Sequence, residues 1–512
     1  MSGDMVRPEA HPRELHRPEH PVRFVTAASL FDGHDAAINI MRRLLQSQGA
    51  EVVHLGHNRS VDEVVTAAVQ EDVQGVAVSS YQGGHIEYFK YLVDRLGAEG
   101  RGDIKVYGGG GGTIVASEVA ELHDYGVARI FTPHDGQELG LAAMVNTMIE
   151  ACDHPLEPPS GADVDRLAGG DQKILARTIT AAESRCLPVE MAAALAEAPA
   201  VPVLGITGTG GSGKSSLTDE LVRRFRIDQE DKLRIAVLAV DPTRRRGGGA
   251  LLGDRIRMNS IDADALDTGR VYFRSMATRG AISELPDSLD EAIAALKAAG
   301  FDLIVVETPG IGQGDAAVVP HVDLSLYVMT PEFGAASQLE KIDMLDLADV
   351  VAINKFERRG GADALRDVSR QLVRNREAFG ARPEDMPVFG TSAATFNDNG
   401  VTALYQHLGG LLKEKGLPLG EGVLPAATGR TSTGAAPVIP PERVNYLGDI
   451  AATVRGYHEQ TAREVEAARR LQRLTEVAAE LEGDTRQTVA DLADQAREQL
   501  GRDSERLLKQ WP

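Results

Sequence analysis

The segment VLGITGTGGSGKSSL, residues 203–217, limits the possible fold more than any other stretch of this chain. An apolar run ends in Gly208-x-x-x-x-Gly213-Lys214-Ser215 and passes directly into a helical pattern, the strand, loop and helix order that a phosphate-cradling loop demands. The strand feeding such a loop is buried on both faces, which predicts a parallel sheet with helices on either side. Backbone N–H groups over Gly211, Ser212, Gly213 and the helix start, with Ser216 beside them, are candidates to hold phosphate oxygens. Lys214 would reach the β- and γ-phosphates and Ser215 would ligate magnesium. A flexible glycine-rich linker does not explain why the lysine and serines fall at a helix start.

Around this loop a β–α series is expected over residues 151–415, with further strands at RIAVLAV, RVYF, FDLIVVE, VDLSLYVM, DVVAIN and MPVFGTS. The third of these ends in Glu307-Thr308, where an acid would serve the magnesium. The strand DVVAIN runs into Asn354-Lys355-Phe356-Glu357, which resembles the guanine reader N-K-x-D with glutamate for aspartate. A carboxylate there accepts two hydrogen bonds from guanine N1 and N2, which adenine does not offer, so GTP is the expected nucleotide. Ser392 and Ala393, in Gly390-Thr391-Ser392-Ala393, resemble the loop that contacts the guanine oxygen. LAVDPTRRRGGGALLGDRIRM also leaves a strand and carries Asp241, Asp254 and Arg257.

Residues 21–150 form a separate five-fold β–α alternation, with strands read at RFVTAAS, EVVHLG, GVAVSS, IKVYG and ARIFT. Ligands in such sheets bind beyond the carboxyl ends of the strands. The loop after the first strand, SLFDGHDAAINI, holds Asp32 and His34. A neutral imidazole is a good transition-metal ligand, and a carboxylate on its other nitrogen fixes the tautomer. Alone, Asp-x-His reads as a surface histidine beside a helix cap. The spacing changes that: Asp32-x-His34-x-x-Ala37 is followed by Ser79-Ser80-Tyr81 and then by Gly108-Gly109.

This pattern resembles the flavodoxin-like cobalamin-binding domain of mutases and methyltransferases, D-x-H-x-x-G, S-x-L and G-G, with Ala37 for the last Gly of the first motif and Tyr81 for the Leu. The resemblance implies that His34 replaces the cofactor's dimethylbenzimidazole as lower ligand to cobalt. The displaced tail would then pass Ser79 and the glycine run from Gly108 and Gly109 on to Gly112, where side chains would block it. In the second unit, D-P-(S/T), G-D-x-x-R-M and E-T-x-G-x-G-Q resemble the GTPases that escort cobalamin into acyl-CoA mutases. That likeness implies a magnesium site of Ser215, Val240, Asp241, Asp254, Glu307 and Thr308, with Arg257 facing the nucleotide and Lys214, Glu307 and Asp241 as catalytic groups. Arg244 to Arg246 are either a switch segment or a solvated loop.

The order of the two units, then a linker at 416–441 and a helical region at 442–512, is similar to the N-terminal half of the fused isobutyryl-CoA mutases. The resemblance implies adenosylcobalamin, GTP/GDP and Mg2+ as cofactors, and an acyl-CoA-binding barrel that acts in trans or is missing from this stretch. It also implies GTP-gated cofactor loading, an adenosyltransferase as cofactor donor and a homodimer. A stand-alone cobalamin or metal chaperone GTPase is the alternative reading.

Charge narrows the partners. Asp and Glu number 75 against 54 Lys and Arg, a net charge of −21, which argues against a large cationic face for nucleic acid or anionic lipid. No apolar run approaches the ~20 residues of a membrane span. Cys152 and Cys186 are the two cysteines, in no metal-like spacing, and residues 1–20 read as a polar, disordered tail without a signal-peptide core, so a cytoplasmic location is expected.

Overall fold

Among the described residues thirteen strands, all paired in parallel within two sheets, carry both candidate sites. The computed structural model describes residues 15–244, 247–261, 265–281, 284–310, 315–333, 339, 342–433 and 446–510. They fall into two compact units, one ending at Ala436 and one beginning at Pro437.

In the first unit the strands are β1 Arg23–Ser29, β2 Glu51–Arg59, β3 Gly75–Ser79, β4 Lys105–Gly109 and β5 Arg129–Phe131. They continue with β6 Val203–Gly208, β7 Ile235–Asp241, β8 Ala250–Leu252, β9 Val271–Ala277, β10 Leu303–Glu307, β11 Leu324–Met329, β12 Val350–Asn354 and β13 Val388–Thr391. One sheet has the order β5-β4-β3-β1-β2-β8 and the other β13-β12-β11-β6-β10-β7-β9. The first five strands are thus wound as in flavodoxin-like proteins, β1 at the point where the order reverses. Every residue of β1, β6, β10 and β12 is buried, because helices cover both faces.

Each strand expected from the sequence is present, and one more is added. The short β8, which follows β7 in the chain, joins the other sheet, on the free side of β2. The two α/β domains are therefore one packed body. Buried charge lines their seam: Arg23 pairs with Glu51 at 2.7 Å and Glu183 at 3.3 Å, Arg279 pairs with Glu51 at 2.7 Å, and Arg274 meets Glu183 at 2.5 Å. Ser275 donates from its N–H and hydroxyl to Glu71. Paired this way, charges that would be costly alone become tolerable in the interior.

Two segments are more ordered than expected. Of the tail expected over 1–20, residues 15–20 are described, and His16 and His20 both meet the carboxylate of Asp153, at 2.7 and 3.0 Å. Of the linker expected over 416–441, residues 416–433 pack on the GTP-type domain: Leu417 is buried, Gly420 and Leu424 N–H groups donate to Gln229 and Asp228, and Arg430 donates to the Met386 carbonyl. Polar, Pro- and Gly-rich composition does not reveal such backbone capture.

The second unit holds helices Tyr446–Glu480, Gly483–Glu498 and Arg502–Gln510, as the composition of that region predicts. Among the described residues Ala467, Ala493 and Ala496 are the buried ones of this unit. Among the described residues, no helix is long and apolar enough to cross a membrane.

Candidate cofactor and nucleotide sites

Both sites lie beyond the carboxyl ends of their strands. In the first, β1 ends at Ser29 and the chain turns through Phe31, a non-glycine residue at φ 63°, held by a bond from its N–H to Asn58 Oδ1 at 2.8 Å. Asp32 follows, its side chain wholly buried. Its Oδ1 accepts from the His34 backbone N–H at 2.8 Å and lies 2.9 Å from His34 Nδ1, and its Oδ2 accepts from the Tyr81 N–H at 2.6 Å. One carboxylate thereby ties the histidine loop to the loop after β3. The His34 side chain is 75% exposed, so Nε2 faces outward while Nδ1 is held.

Beside it is a cavity of about 370 Å³ lined by Ala37, Ser79, Tyr81 and Gly108 to Gly111, within the range of small-molecule sites. Its walls require glycine: a Cβ on Gly108 would lie 2.5 Å from Phe89 and Ile130, and one on Gly110 would lie 1.9 Å from the Ser80 carbonyl oxygen. The buried Ser79 hydroxyl lacks a hydrogen-bond partner among the described residues and lines the same cavity. A cavity with one orphaned donor, a glycine wall and an outward imidazole at its rim fits a cobalamin tail and a lower cobalt ligand. Ala37 and Tyr81, the two departures from the pattern, both line it, and the Tyr81 ring lies 5.5 Å from the His34 ring.

In the second site, β6 ends at Gly208 and Gly213 caps the helix Lys214–Asp228 with a left-handed φ of 88°, which a side chain would strain. Lys214 Nζ donates to the carbonyls of Gly208 and Thr209, 2.8 and 3.4 Å away, across the loop it would serve. Ser215 Oγ lies 2.7 Å from Glu307 Oε1 and 3.0 Å from Asp254 Oδ1, and Thr218 Oγ1 donates to Glu307 Oε2 at 2.9 Å. One hydroxyl proton cannot satisfy both carboxylates at once. Asp241 is linked to them through the Gly253 N–H, which donates to its Oδ2 at 3.1 Å. Burial, then the charge of Asp254, pushes the Glu307 carboxyl up to about 7, and the same two causes hold Asp241 well above the usual carboxylate range. A divalent cation removes that penalty, so the donor set fits magnesium. Among the described residues no group of three or more His, Cys, Asp or Glu side chains is gathered closely enough to hold a metal unaided. Magnesium would take the Ser215 hydroxyl, phosphate oxygens and water as well.

Arg257, largely exposed, donates to Asp254 at 2.9 Å. Val240 is buried in β7, and Thr308 donates its hydroxyl to Thr207 instead of joining the carboxylates. Ser216 is exposed at the helix start and the Ser212 hydroxyl is buried. At the base end, Asn354 donates to the Ser212 carbonyl at 2.8 Å and accepts from the Ala393 N–H at 3.1 Å. Lys355, at φ 58°, donates to the Gly211 carbonyl at 2.6 Å. The Phe356 N–H donates to Thr391, and Glu357 accepts from the Ser392 hydroxyl at 2.5 Å. All four reader residues thus converge on the loops after β6 and β13. The sequence motifs do not single out Thr218, one turn after Lys214 on the same helix face, whereas Gly110 falls within the Gly108 to Gly112 run expected to form a ligand wall. Of the candidate switch arginines, Arg245 and Arg246 lie outside the described residues.

Comparison with known proteins assigns a family to each of the two domains. Residues 22–136 match the B12 binding domain family, and residues 175–410 match the family described as methylmalonyl-CoA mutase-associated GTPase MeaB. A protein of Pyrococcus horikoshii named as a candidate GTPase is 35% identical over 238 residues, and the match covers 72% of it and 45% of this chain. The chain belongs to the MeaB GTPase family. MeaB is here preceded by a B12-binding domain, an arrangement shared with proteins named fused isobutyryl-CoA mutase. That of Nocardia farcinica is 66% identical and that of Cupriavidus metallidurans 58% identical, each match covering 97% of this chain. The chain spans about half the length of these relatives, 46% and 45%, and corresponds to their B12-binding and MeaB GTPase half.

Proposed function

We propose that this chain binds adenosylcobalamin through His34 and hydrolyses GTP at the Lys214 loop, the nucleotide governing loading and release of the cofactor for an acyl-CoA carbon-skeleton mutase of the isobutyryl-CoA type. The observation that carries this reading is the outward His34 imidazole, fixed by buried Asp32 at the rim of a glycine-walled cavity, within one body with a phosphate loop. When bound, adenosylcobalamin supplies radical chemistry for the rearrangement. Asp32 holds the proton on Nδ1, so Nε2 would be free to ligate the cobalt, and Ser79 and the Gly108 to Gly111 wall would receive the tail.

At the other site Lys214 would leave the Gly208 carbonyl for the β- and γ-phosphates, and Ser215, Asp241, Asp254 and Glu307 would hold magnesium. The loop N–H groups and Lys214 stabilise charge as the terminal phosphate is transferred to water. Glu357 reads guanine. The acyl-CoA site falls to a barrel that acts in trans or is missing from this stretch; residues 1–512 by themselves hydrolyse GTP slowly and isomerise no acyl-CoA. A cytoplasmic homodimer that receives its cofactor from an adenosyltransferase completes the proposal.

The deciding test is the visible spectrum of the chain with adenosylcobalamin, for wild type and His34→Ala. The reading requires a spectrum with the benzimidazole displaced and histidine ligated in the wild type, and its loss in the variant. No binding by the wild type would favour a metal chaperone GTPase beside an unused α/β domain.

A further inference from the structure

The strand β8 belongs by sequence to the nucleotide site and by pairing to the cofactor domain. The chain leaves the nucleotide site at Asp241, Thr243 bridges to Ala250, the Arg244 N–H donates to the Gly249 carbonyl at 3.0 Å, and β8 lies along β2. The register is parallel, Glu51 opposite Ala250, Val52 opposite Leu251 and Val53 opposite Leu252. One residue later, Gly253 donates to Asp241, and Asp254 meets Ser215. Both ends of the excursion are therefore candidate magnesium ligands.

Its middle is fitted tightly to the cofactor domain. A Cβ on Gly249 would lie 2.1 Å from the Gln46 carbonyl oxygen and 2.7 Å from that of Ala50, so the backbones meet at a distance that excludes any side chain. The buried Gln46 amide, with its oxygen turned to face the donors, accepts from the Leu251 N–H at 3.0 Å and from Arg244 Nε at 3.2 Å. Gln46 is in the last turn of the helix Ala36–Ser47, whose first turn, Ala37 and Ile38, lines the cavity beside His34. A helix of this length spans about 18 Å and moves as a rigid piece. The three residues of β8, with Ala250 and Leu252 wholly buried, are bounded at both ends by residues of the nucleotide site, so a displacement of Asp241 or Asp254 is passed to this tight contact.

We propose that β8 is the element through which the nucleotide site sets the cobalamin affinity, by way of Gln46 and the helix Ala36–Ser47. This rests on the reading of the two sites given above and adds the route between them. Drawing Asp241 and Asp254 onto magnesium with a triphosphate displaces β8 from the position it has between the two, and the helix that carries Ala37 follows at its other end. Coupling of this kind is reciprocal: the factor by which nucleotide changes cobalamin affinity equals the factor by which cobalamin changes nucleotide affinity.

The test uses the full chain. Adenosylcobalamin is titrated spectroscopically in the presence of Mg2+ with GDP or with a non-hydrolysable GTP analogue, and the nucleotides are titrated with and without the cofactor. The expected wild-type result is an affinity ratio of about fivefold or more, matched by the reciprocal measurement. In Gly249→Ala and in Gln46→Ala the ratio should fall to within about twofold of unity while each ligand alone still binds. Hydrogen exchange of the peptide around Val52 and Val53 should differ between the two nucleotides in wild type only. Retention of the full ratio in Gln46→Ala, which leaves the strand backbone intact, would overturn the route even if Gly249→Ala proved unstable. So would a wild type that binds both ligands with a ratio of one, a result that leaves the two sites standing. Absence of cobalamin binding altogether overturns the site reading and the route together.

Discussion

Replacing Glu307 by glutamine should make the ligand-free protein more stable at pH 8 and leave it without magnesium-dependent function. Glu307 is buried, faces Asp254, Asp241 and Lys214, and is held by the Ser215 and Thr218 hydroxyls. Its pKa rises from 4.5 to about 7, chiefly through burial and then through the charge of Asp254. The folded protein therefore binds this proton more tightly than the unfolded chain does. Stability is full below pH 4.5, falls as pH rises through the interval up to about 7, and is lowest above it. The pKa difference corresponds to about 3 kcal/mol at pH 8. Glutamine carries no charge, and imperfect pairing with two hydroxyls returns about 1 kcal/mol of that gain. A net of about 2 kcal/mol corresponds to a rise of about 4–8 °C in Tm for a domain of this size.

The assay is thermal unfolding in EDTA without nucleotide, from pH 5 to pH 8, for wild type and Glu307→Gln. The difference should be near zero at pH 5, where the wild-type acid is already protonated, and grow with pH. With Mg2+ and GDP present the order should reverse, because the cation stabilises the wild-type carboxylates alone. A variant less stable than wild type by the same amount at every pH would show that Glu307 acts through its hydrogen bonds and not through its buried charge, and would refute the electrostatic account of the site.

Gly110→Ala places a methyl group 1.9 Å from the Ser80 oxygen; it should cost about 1–3 kcal/mol in a melting experiment and abolish the cobalamin spectral change while leaving GTP hydrolysis in place. Glu357→Gln removes the carboxylate that reads guanine and should weaken GDP binding by about 10- to 100-fold, with ADP binding unchanged, in competition against a fluorescent nucleotide. Glu183→Ala leaves Arg23, Arg274 and Arg279 short of a buried partner and should cost about 3–5 kcal/mol, measured by urea unfolding.

The parts of this protein legible in the sequence are those where side-chain type is dictated by chemistry. A lysine and serine at a helix start, an acid closing a buried strand, and Asp32-x-His34 once joined to Ser79 and Gly108-Gly109 each point to a candidate role. The apolar strands were legible for the same reason, since burial on both faces leaves a continuous run. What escaped was set by backbone proximity. Ala250–Leu252 is a three-residue run behind three glycines, and its sequence has the appearance of a loop; only the geometry of Gly249 against Gln46 and Ala50 makes it a strand of the other sheet. Residues 416–433 are ordered because Asp228 and Gln229 capture backbone N–H groups, which depends on distances and not on the composition of the segment. Tyr81 departs from the family pattern, yet its side chain lines the cavity and its N–H is what Asp32 holds, so the position keeps a backbone function that no side-chain motif expresses.

The two domains, in series along the chain, are united in space. The cofactor sheet contains a strand from the nucleotide domain, and the buried ions of the seam alternate between the two: Arg23, Glu51 and Glu71 on one side, Glu183, Arg274 and Arg279 on the other. Neither set is neutralised without its counterpart, and an uncompensated buried charge costs several kcal/mol. Separating the domains would expose both the unpaired edge of β2 and these charges. The body therefore resists hinge motion at the seam and leaves β8, whose two ends are tied to Asp241 and Asp254, as the segment best placed to move. A rigid seam beside one movable strand converts a local change at magnesium into a displacement at the cofactor wall without requiring the domains to part.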